Sequence, residues 1–385
     1  MRTGWNRRSL GDLCDVIAGQ SPDGKFYNSE GVGLPFYQGK REFGERFIRA
    51  PSTWTSQITK IARPGDILMS VRAPVGPVNL ASTEICIGRG LAAIRSRGEV
   101  DIQFLFYQLV HLQPIIAGKD GAVFPSISKS EIQGLNIAAP LLSEQQRIVG
   151  ILDEAFEGIA IAKGHAEKNL QNARAIFESY LEEAFNDESE MTNLSDLTAE
   201  ITDGDHMPPP KAPTGIPFIT ISNVVKETRE IDFGETFFVP TEYFAKLGIT
   251  KKPVAGDVLY TVTGSFGIPV LVKEQRDFCF QRHIALIRPK PTTDSRWLTY
   301  ALLSPQVFAQ ACALSTGTAQ KTVSLGVLRR IRVPKVKHSD QLAVADKLDV
   351  LWQQTRSLVS IYQQKLAALD ALKKSLLHEA FSGNL

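Results

Sequence analysis

Cysteine is scarce here: the 385 residues contain four, and no two stand in a C-x-x-C. That argues against a disulfide framework and against a thiolate zinc site. No apolar run approaches the roughly 20 residues needed to cross a bilayer, so no membrane partner is expected. The opening Met-Arg-Thr-Gly-Trp-Asn-Arg-Arg leads into no apolar h-region, so no secretory signal is expected and the expected location is cytoplasmic. Catalytic signatures are missing too. There is no G-x-x-x-x-G-K-S/T loop, no G-x-G-x-x-G after a strand and no H-E-x-x-H. No glutamate is followed by x-Lys, which removes the usual nuclease tail, and no Asn/Asp-Pro-Pro-aromatic string exists for methylating a base amine. The nearest string, His206-Met207-Pro208-Pro209-Pro210-Lys211, reads as a surface loop of polyproline character. The expectation is a non-catalytic chain, with no catalytic residue, metal or cofactor to assign.

Proline is missing from two long stretches. All 21 prolines fall between Pro22 and Pro140 or between Pro208 and Pro334, leaving 143–190 and 339–385 free of it. Proline is excluded from helix interiors because it lacks an N–H and clashes with the preceding turn. Apolar residues agree with helices there. They fall three and four apart at Ile148, Leu152, Ala155, Ile159, Ala162, Ala166, Leu170, Ala173, Phe177, Leu181 and Ala184. In the second stretch they fall at Leu342, Ala345, Leu348, Leu351, Leu358, Tyr362, Leu366, Leu369, Leu376 and Ala380. Such spacing over about 40 residues predicts a coiled-coil seam. Each helix should be roughly 60 Å long at about 1.5 Å per residue. Ser143 with Gln146 predicts a capping-box start, and Ser339-Asp340 a simpler N-cap.

What is present is a duplication. Gly-Asp-Ile-Leu-Met-Ser-Val at 65–71 returns as Gly-Asp-Val-Leu-Tyr-Thr-Val at 256–262, with Gly76 and Gly267 placed alike. Cys86 to Arg95 returns as Cys279 to Arg288, matching Arg89 with Arg282 and Gly90 with His283. Gly121 and Ser128 recur as Gly317 and Ser324, and Glu183-Ala184-Phe185 recurs as Glu379-Ala380-Phe381. One unit is therefore used twice. With 43% hydrophobic residues the chain can bury several cores. The division expected is a globular domain at 1–142, a helix at 143–190, a second domain at 191–338 and a second helix at 339–385. The globular parts read as α/β. Strands are expected at Ile67–Val71, Leu91–Arg95, Pro217–Ile221, Val258–Val262 and Phe278–Arg288, with helices near 101–112 and 294–303.

The net charge of +2 hides a partition. Residues 1–142 hold 16 Lys+Arg against 12 Asp+Glu, and residues 191–338 hold 18 against 13. The first helix holds 4 against 11 and the second 5 against 5. Two basic domains on acidic-to-neutral helices suit a polyanion gripped at two places. A matched arginine such as Arg89 or Arg282 either touches phosphate or braces a loop carbonyl. The copies differ most where Tyr37-Gln38-Gly39-Lys40-Arg41-Glu42 faces Ile219-Thr220-Ile221-Ser222-Asn223-Val224. From Pro-Phe to Gly-Asp the second copy is also longer, 38 residues against 29.

Two basic domains of similar core and different loops, each followed by a long helix, resemble the specificity subunit of type I restriction-modification enzymes. The carriers are Pro-Gly-Asp-Ile-Leu (64–68) and Ala-Gly-Asp-Val-Leu (255–259), the Cys-x-x-Arg strands, Gly-Thr-Ala-Gln-Lys (317–321) before Val323-Ser324, and Pro-then-Ser-Glu-Gln-Gln-Arg (140–147). In the first copy Phe124-Pro125 replaces Gln320-Lys321, a departure from the pattern. The resemblance implies two target recognition domains, each reading half of a split double-stranded DNA site. It also implies paired helices that set the gap and dock two methyltransferase subunits, with restriction subunits joining through the complex. A duplicated domain–helix unit can pair its helices antiparallel about a pseudo-two-fold axis. Candidate DNA-binding residues are Gln38, Lys40, Arg41, Arg72 and Arg89, then Thr220, Ser222, Asn223, Arg282, Gln320 and Lys321. Arg, Lys, Gln and Asn can address purine edges, though ordinary solvated surface is the alternative for Lys40, Arg41 and Asn223. Candidate partner-binding residues are Glu157, Glu167, Glu178 and Glu182, or else a solvated acidic face. The rival reading is a structural adaptor that binds RNA or acidic partners without sequence preference.

Overall fold

The computed structural model describes residues 5–117, 126–185, 190–206, 208–317 and 320–385; Gly121 and the Phe124-Pro125 departure lie outside them. Two compact units share the chain, Met1–Glu167 with Gln364–Leu385, and Lys168–Gln363. The division does not fall at the helix starts, because each unit takes part of both long helices.

The principal elements of the first unit are β1 (Asn6–Ser9), β2 (Cys14–Ala18), β3 (Leu34–Tyr37), β4 (Ile67–Ser70), β5 (Val78–Leu80), β6 (Ile85–Ile87), β7 (Leu91–Ser96), helix α1 (Ile102–Ala117) and β8 (Asn136–Ala139), followed by α2 (Leu142–Phe185). Strands β2, β7, β4 and β5 form one antiparallel sheet in that order. A second sheet is built on a parallel pair, β3 beside β6, with Phe36 opposite Cys86 and Tyr37 opposite Ile87. The second unit repeats this with β9 (Met191–Asn193), β10 (Thr198–Asp203), β11 (Ile216–Ile219), β12 (Val258–Thr261), β13 (Pro269–Leu271), β14 (Cys279–Phe280), β15 (Ile284–Pro289), helix α3 (Ser295–Leu303), β16 (Arg332–Pro334) and α4 (His338–Ser382). Its sheet order is β10, β15, β12, β13. Phe218 stands opposite Cys279 and Ile219 opposite Phe280, the register of the first copy.

The repeated Gly-Asp is a folding device. Gly65 and Gly256 turn at φ 88° and 93°, a region open to glycine at little steric cost. Each following aspartate is almost sealed from water and takes an arginine on both oxygens. Arg95 reaches Asp66 at 2.9 and 2.6 Å, and Arg288 reaches Asp257 at 2.8 and 2.7 Å. The same carboxylates accept the Arg63 and Val254 amides, which closes the turn.

The continuous strand expected at Phe278–Arg288 is in fact two, β14 and β15, placed in different sheets with a turn at Gln281–His283. Alternation of apolar residues continues across the turn, so the pattern alone hides it.

The long helices span 44 and 45 residues. They begin at Leu142 and His338, so Ser143 and Ser339 sit inside them and no capping box forms at Ser143. Buried glutamines hold the starts instead. Gln145 accepts the Asp101 amide at 2.7 Å and donates to the Pro140 carbonyl at 2.7 Å. Gln341 does the same with Asp294 at 2.8 Å and Val336 at 3.1 Å. The first seam is buried at Ile148, Leu152, Ile159, Ala166, Ala173, Phe177 and Leu181. The second departs from expectation: Leu342 and Leu358 are exposed, while Leu377 and Thr355 are buried. Within the first unit the helices run antiparallel, Lys163 meeting Asp370 at 2.8 Å and Arg147 reaching the Leu385 carbonyl at 2.8 Å. In the second, Phe177 packs on Trp352 with ring centroids 4.9 Å apart.

The recurring Glu-Ala-Phe is a plug. Phe381 packs edge-on against the buried Phe104 at 5.3 Å in the first unit, and Phe185 packs on the buried Trp297 at 5.9 Å in the second. Burying one such ring contributes about 1.5–3 kcal/mol.

Candidate nucleic-acid interface

Four loops meet at one edge of each unit, joined by the same backbone hydrogen bonds. In the first unit Gln20 N donates to Ile87 O at 2.9 Å, Gly88 N to Tyr37 O at 2.9 Å, Val71 N to Gly90 O at 3.0 Å and Ile127 N to Val71 O at 3.1 Å. In the second unit Asp205 N donates to Phe280 O at 3.0 Å, Gln281 N to Ile219 O at 2.9 Å, Val262 N to His283 O at 2.9 Å and Val323 N to Val262 O at 2.8 Å. The frame is one, and the side chains on it differ. Equivalent positions carry Ser21 and His206, Gln38 and Thr220, Arg72 and Thr263, Gly88 and Gln281, Gly90 and His283. Only the arginine, Arg89 or Arg282, is kept.

The differences compensate within each unit. A Cβ added at Gly88 would meet Gln38 Oε1 at 2.5 Å, and one at Gly90 would meet the Gln38 carbonyl at 2.4 Å. Where Thr220 replaces Gln38, the turn carries Gln281 and His283. Ser21 donates to Gln38 Oε1 at 2.8 Å and accepts the Arg89 amide at 3.3 Å, which fixes Gln38 across the turn.

Most predicted side chains are free to meet a ligand. Lys40, Arg41, Arg72, Arg89, Arg282 and Lys321 are exposed, and their cationic groups make no hydrogen bond or ion pair among the described residues. Neither Arg89 nor Arg282 braces a described carbonyl through its guanidinium. Gln38, Ser222 and Gln320 are exposed as well, and Thr220 is half-buried. Asn223 must be withdrawn. It is buried, its Oδ1 accepts the Thr220 amide at 2.9 Å, and its Nδ2 donates to the Glu235 carbonyl at 3.0 Å. Its amide caps a 3-10 turn at Ile221–Asn223 and has no group left for a base.

In the second unit the edge is concave. A cleft of about 440 Å³ is lined by Asp203, His206, Arg282, His283, Gln320 and Ser324, among others. A second of about 330 Å³ shares His206, Arg282 and His283 and adds Lys211 and Thr220. His206 Nε2 lies 2.7 Å from Asp203 Oδ2, and Asp205 accepts the Tyr243 hydroxyl. Sequence reasoning set His206 to Lys211 aside as a surface loop and made nothing of Ser21. The available signal was a glycine after the first strand, Gly19 and Gly204, each with a backbone oxygen within 2.2 Å of any added Cβ.

Thiolate chemistry is remote from this edge. Burial pushes the Cys14 and Cys279 thiols up to about 12, so both stay neutral. Among the described residues no three His, Cys, Asp or Glu gather to hold a metal. No described helix is long and apolar enough to cross a membrane.

On the helices, Glu157, Glu167, Glu178 and Glu182 are all exposed. Ile161, Ile176 and Tyr180 are exposed on the same helix, at 56%, 43% and 57%, which is more apolar surface than a purely solvated face needs.

Residues 2–171 match the type I restriction modification DNA specificity domain. A curated relative from Methanocaldococcus jannaschii, named for the type I restriction enzyme MjaX specificity subunit, is 42% identical over 174 residues, which is 44% of this chain and 40% of the relative. The match thus spans less than half of that protein's length. Among solved structures, a chain from work on complex assembly and conformational transition of the type I R-M system superposes with a TM-score of 0.82. It is 19% identical, and the alignment covers 100% of this chain and 99% of that one. The HsdS subunit from Thermoanaerobacter tengcongensis superposes at 0.60 with 18% identity, over 100% and 98% of the two chains. At such identities the structures establish the fold, and the domain match with its curated relative supplies the family. The chain belongs to the specificity-subunit family of type I restriction-modification systems.

Proposed function

We propose that each unit reads one half of a bipartite, asymmetric DNA site through its four-loop edge. On this reading the long helices dock methyltransferase subunits, restriction subunits join through that complex, and the chain itself performs no catalytic step. The observation that carries the proposal is the shared frame with unshared side chains. One backbone arrangement presents Gln38, Arg72 and Arg89 in one unit and Thr220, Arg282, His283 and Gln320 in the other. Matching frames suit one way of docking on duplex, and differing side chains suit two different half-sites. An arginine with both prongs free can take the two acceptors of guanine in the major groove, a contact that discriminates by about 1–3 kcal/mol, or it can take a phosphate.

The test uses the full chain with its partner subunits. Arg89→Ala and Arg282→Ala should each weaken binding. Substitutions at Gln38 and Gln320 should each relax preference at a single half of the site and leave the other half unchanged. Preference changing at both halves together would refute the assignment of one reader to each half. Binding that responds to salt and ignores sequence would favour the adaptor.

A further inference from the structure

In each unit an adjacent arginine and glutamate from the divergent segment reach out of the globular part and grip both long helices. In the first unit the pair is Glu45-Arg46. Arg46 Nη1 donates to Asp153 on α2 at 2.8 Å, Nη2 donates to Gln103 at 2.7 Å, and the guanidinium lies 5.4 Å from the Tyr107 ring. The Tyr107 hydroxyl also donates to Asp153. Glu45 meets Lys373 of α4 at 3.4 Å, and Lys373 in turn covers Phe156 at 5.0 Å.

In the second unit the order is reversed, Arg229-Glu230. Arg229 lies 3.5 Å from the ring centroid of Trp352 on α4 and 5.0 Å from that of Phe177 on α2. Glu230 takes Arg356 of α4 at 3.3 Å and Lys273 at 3.0 Å. Arg229 is held at φ 55°, a region L side chains seldom adopt, so the turn is bent in a way that aims the side chain. Its guanidinium is buried, with one nitrogen unpartnered. Burial lowers its pKa to about 10, so it stays charged near neutrality.

The two grips use different chemistry for a reason visible one repeat apart. Asp349, the counterpart of Asp153, takes the Tyr300 hydroxyl at 2.6 Å and Arg296 at 2.8 Å. Arg296 occupies the place of Gln103. In the second unit the helix carboxylate is neutralised from α3, and the loop arginine stacks on rings. In the first, Gln103 leaves Asp153 open, and the loop supplies the cation.

The geometry points to Glu45-Arg46 and Arg229-Glu230 as positioning residues that set the angle of each loop edge on the helix segments of its own unit. Buried apolar contact alone is non-directional, and a buried ion pair is often no more stable than a well-packed apolar one. A planar guanidinium fixed by a fork or a stack adds orientation. The segment that would read bases thereby also sets how they are approached, an inference that rests on the DNA-reading role above. It follows that a loop carrying Arg46 would not seat correctly against Asp349, which already holds Arg296.

The experiment measures affinity of the assembled complex for its site at the native gap and with one base pair added or removed. Arg46→Met and Arg229→Met should weaken native-gap binding by about tenfold, a shift of about 1.4 kcal/mol. They should weaken off-gap binding less, so gap preference narrows while base preference at each half stays. Arg46→Lys keeps the charge without the fork and should restore affinity more than gap preference. Unchanged gap preference in folded variants would overturn the proposal, as would loss of base preference along with affinity. If the unaltered complex shows no bipartite preference, the functional reading fails by itself. Amide hydrogen exchange then decides the grip: residues 45–48 and 229–232 should exchange faster in the Met variants, and unchanged protection would overturn it. Should a Met variant not fold, Asp153→Asn and Glu230→Gln carry the same comparison.

Discussion

Asp66 and Asp257 are held by Arg95 and Arg288 in two-pronged contacts closed to water on the carboxylate side. Removing one charge leaves a guanidinium without its partner. We expect Asp257→Asn to destabilise its unit by about 3 kcal/mol, read from urea unfolding, with the DNA-facing loops unaltered at low denaturant. A loss below about 1 kcal/mol would mean that solvent already relieves the pair. His111 gives a second handle. Its ring stacks on Phe381 at 5.6 Å and lies 5.9 Å from His378. Burial, and then the His378 charge, hold its pKa below the ordinary value. The unfolded chain therefore binds more protons between the two values. The stability His111 contributes is fully present above the ordinary value and lost as pH falls through the lowered one. Thermal unfolding followed on both sides of that window should show the first unit weakening in acid, and His111→Gln should flatten the trend. A trend equally steep in the variant would place its origin elsewhere.

At the scale of elements, much of the architecture was legible because exclusion is a strong signal. Proline cannot sit inside a helix, so two long proline-free stretches with three-four spacing announced α2 and α4. Gln145 and Gln341 were not legible, since a polar residue on a seam escapes any count of apolar ones. The turn at Gln281–His283 was hidden by uninterrupted strand-like alternation. Arg89 and Arg282 stood out through the repeat, whereas Ser21 and His206 share little beyond a preceding glycine. Asn223 misled because a side chain's chemistry says nothing of its burial. The helices also suggest a measurement. Because they run antiparallel within the first unit, a heptad added after Ala166 alone would have no partner turns. Matched heptads after Ala166 and after Leu366 should lengthen the pair by about 10 Å at about 1.5 Å per residue, near three base pairs at about 3.4 Å each. Gel-shift competition across a series of gaps should find a longer optimum. An unchanged optimum with full affinity would show that the helices do not measure the gap.

For the whole molecule, duplication implies two equivalent docking faces. Glu157 and Glu167 with Ile161 lie on helix segments of the first unit, and Glu178 and Glu182 with Ile176 and Tyr180 on those of the second. A partner that fits one face should fit the other, so two copies of one methyltransferase subunit should bind per chain. Native mass measurement at saturation checks this, and a single copy per chain would confine the duplication to DNA reading. The two units differ, however, in how the chain closes them. The second is one uninterrupted stretch, Lys168–Gln363, while the first needs Gln364–Leu385 to bring it Ala380 and Phe381. A ribosome therefore delivers the last piece of the first unit after everything else, and that core waits, its Phe104 uncovered on one side, until translation is nearly over. A nonsense codon just beyond Gln363 would accordingly injure the half of the protein that was synthesised first and spare the half synthesised last.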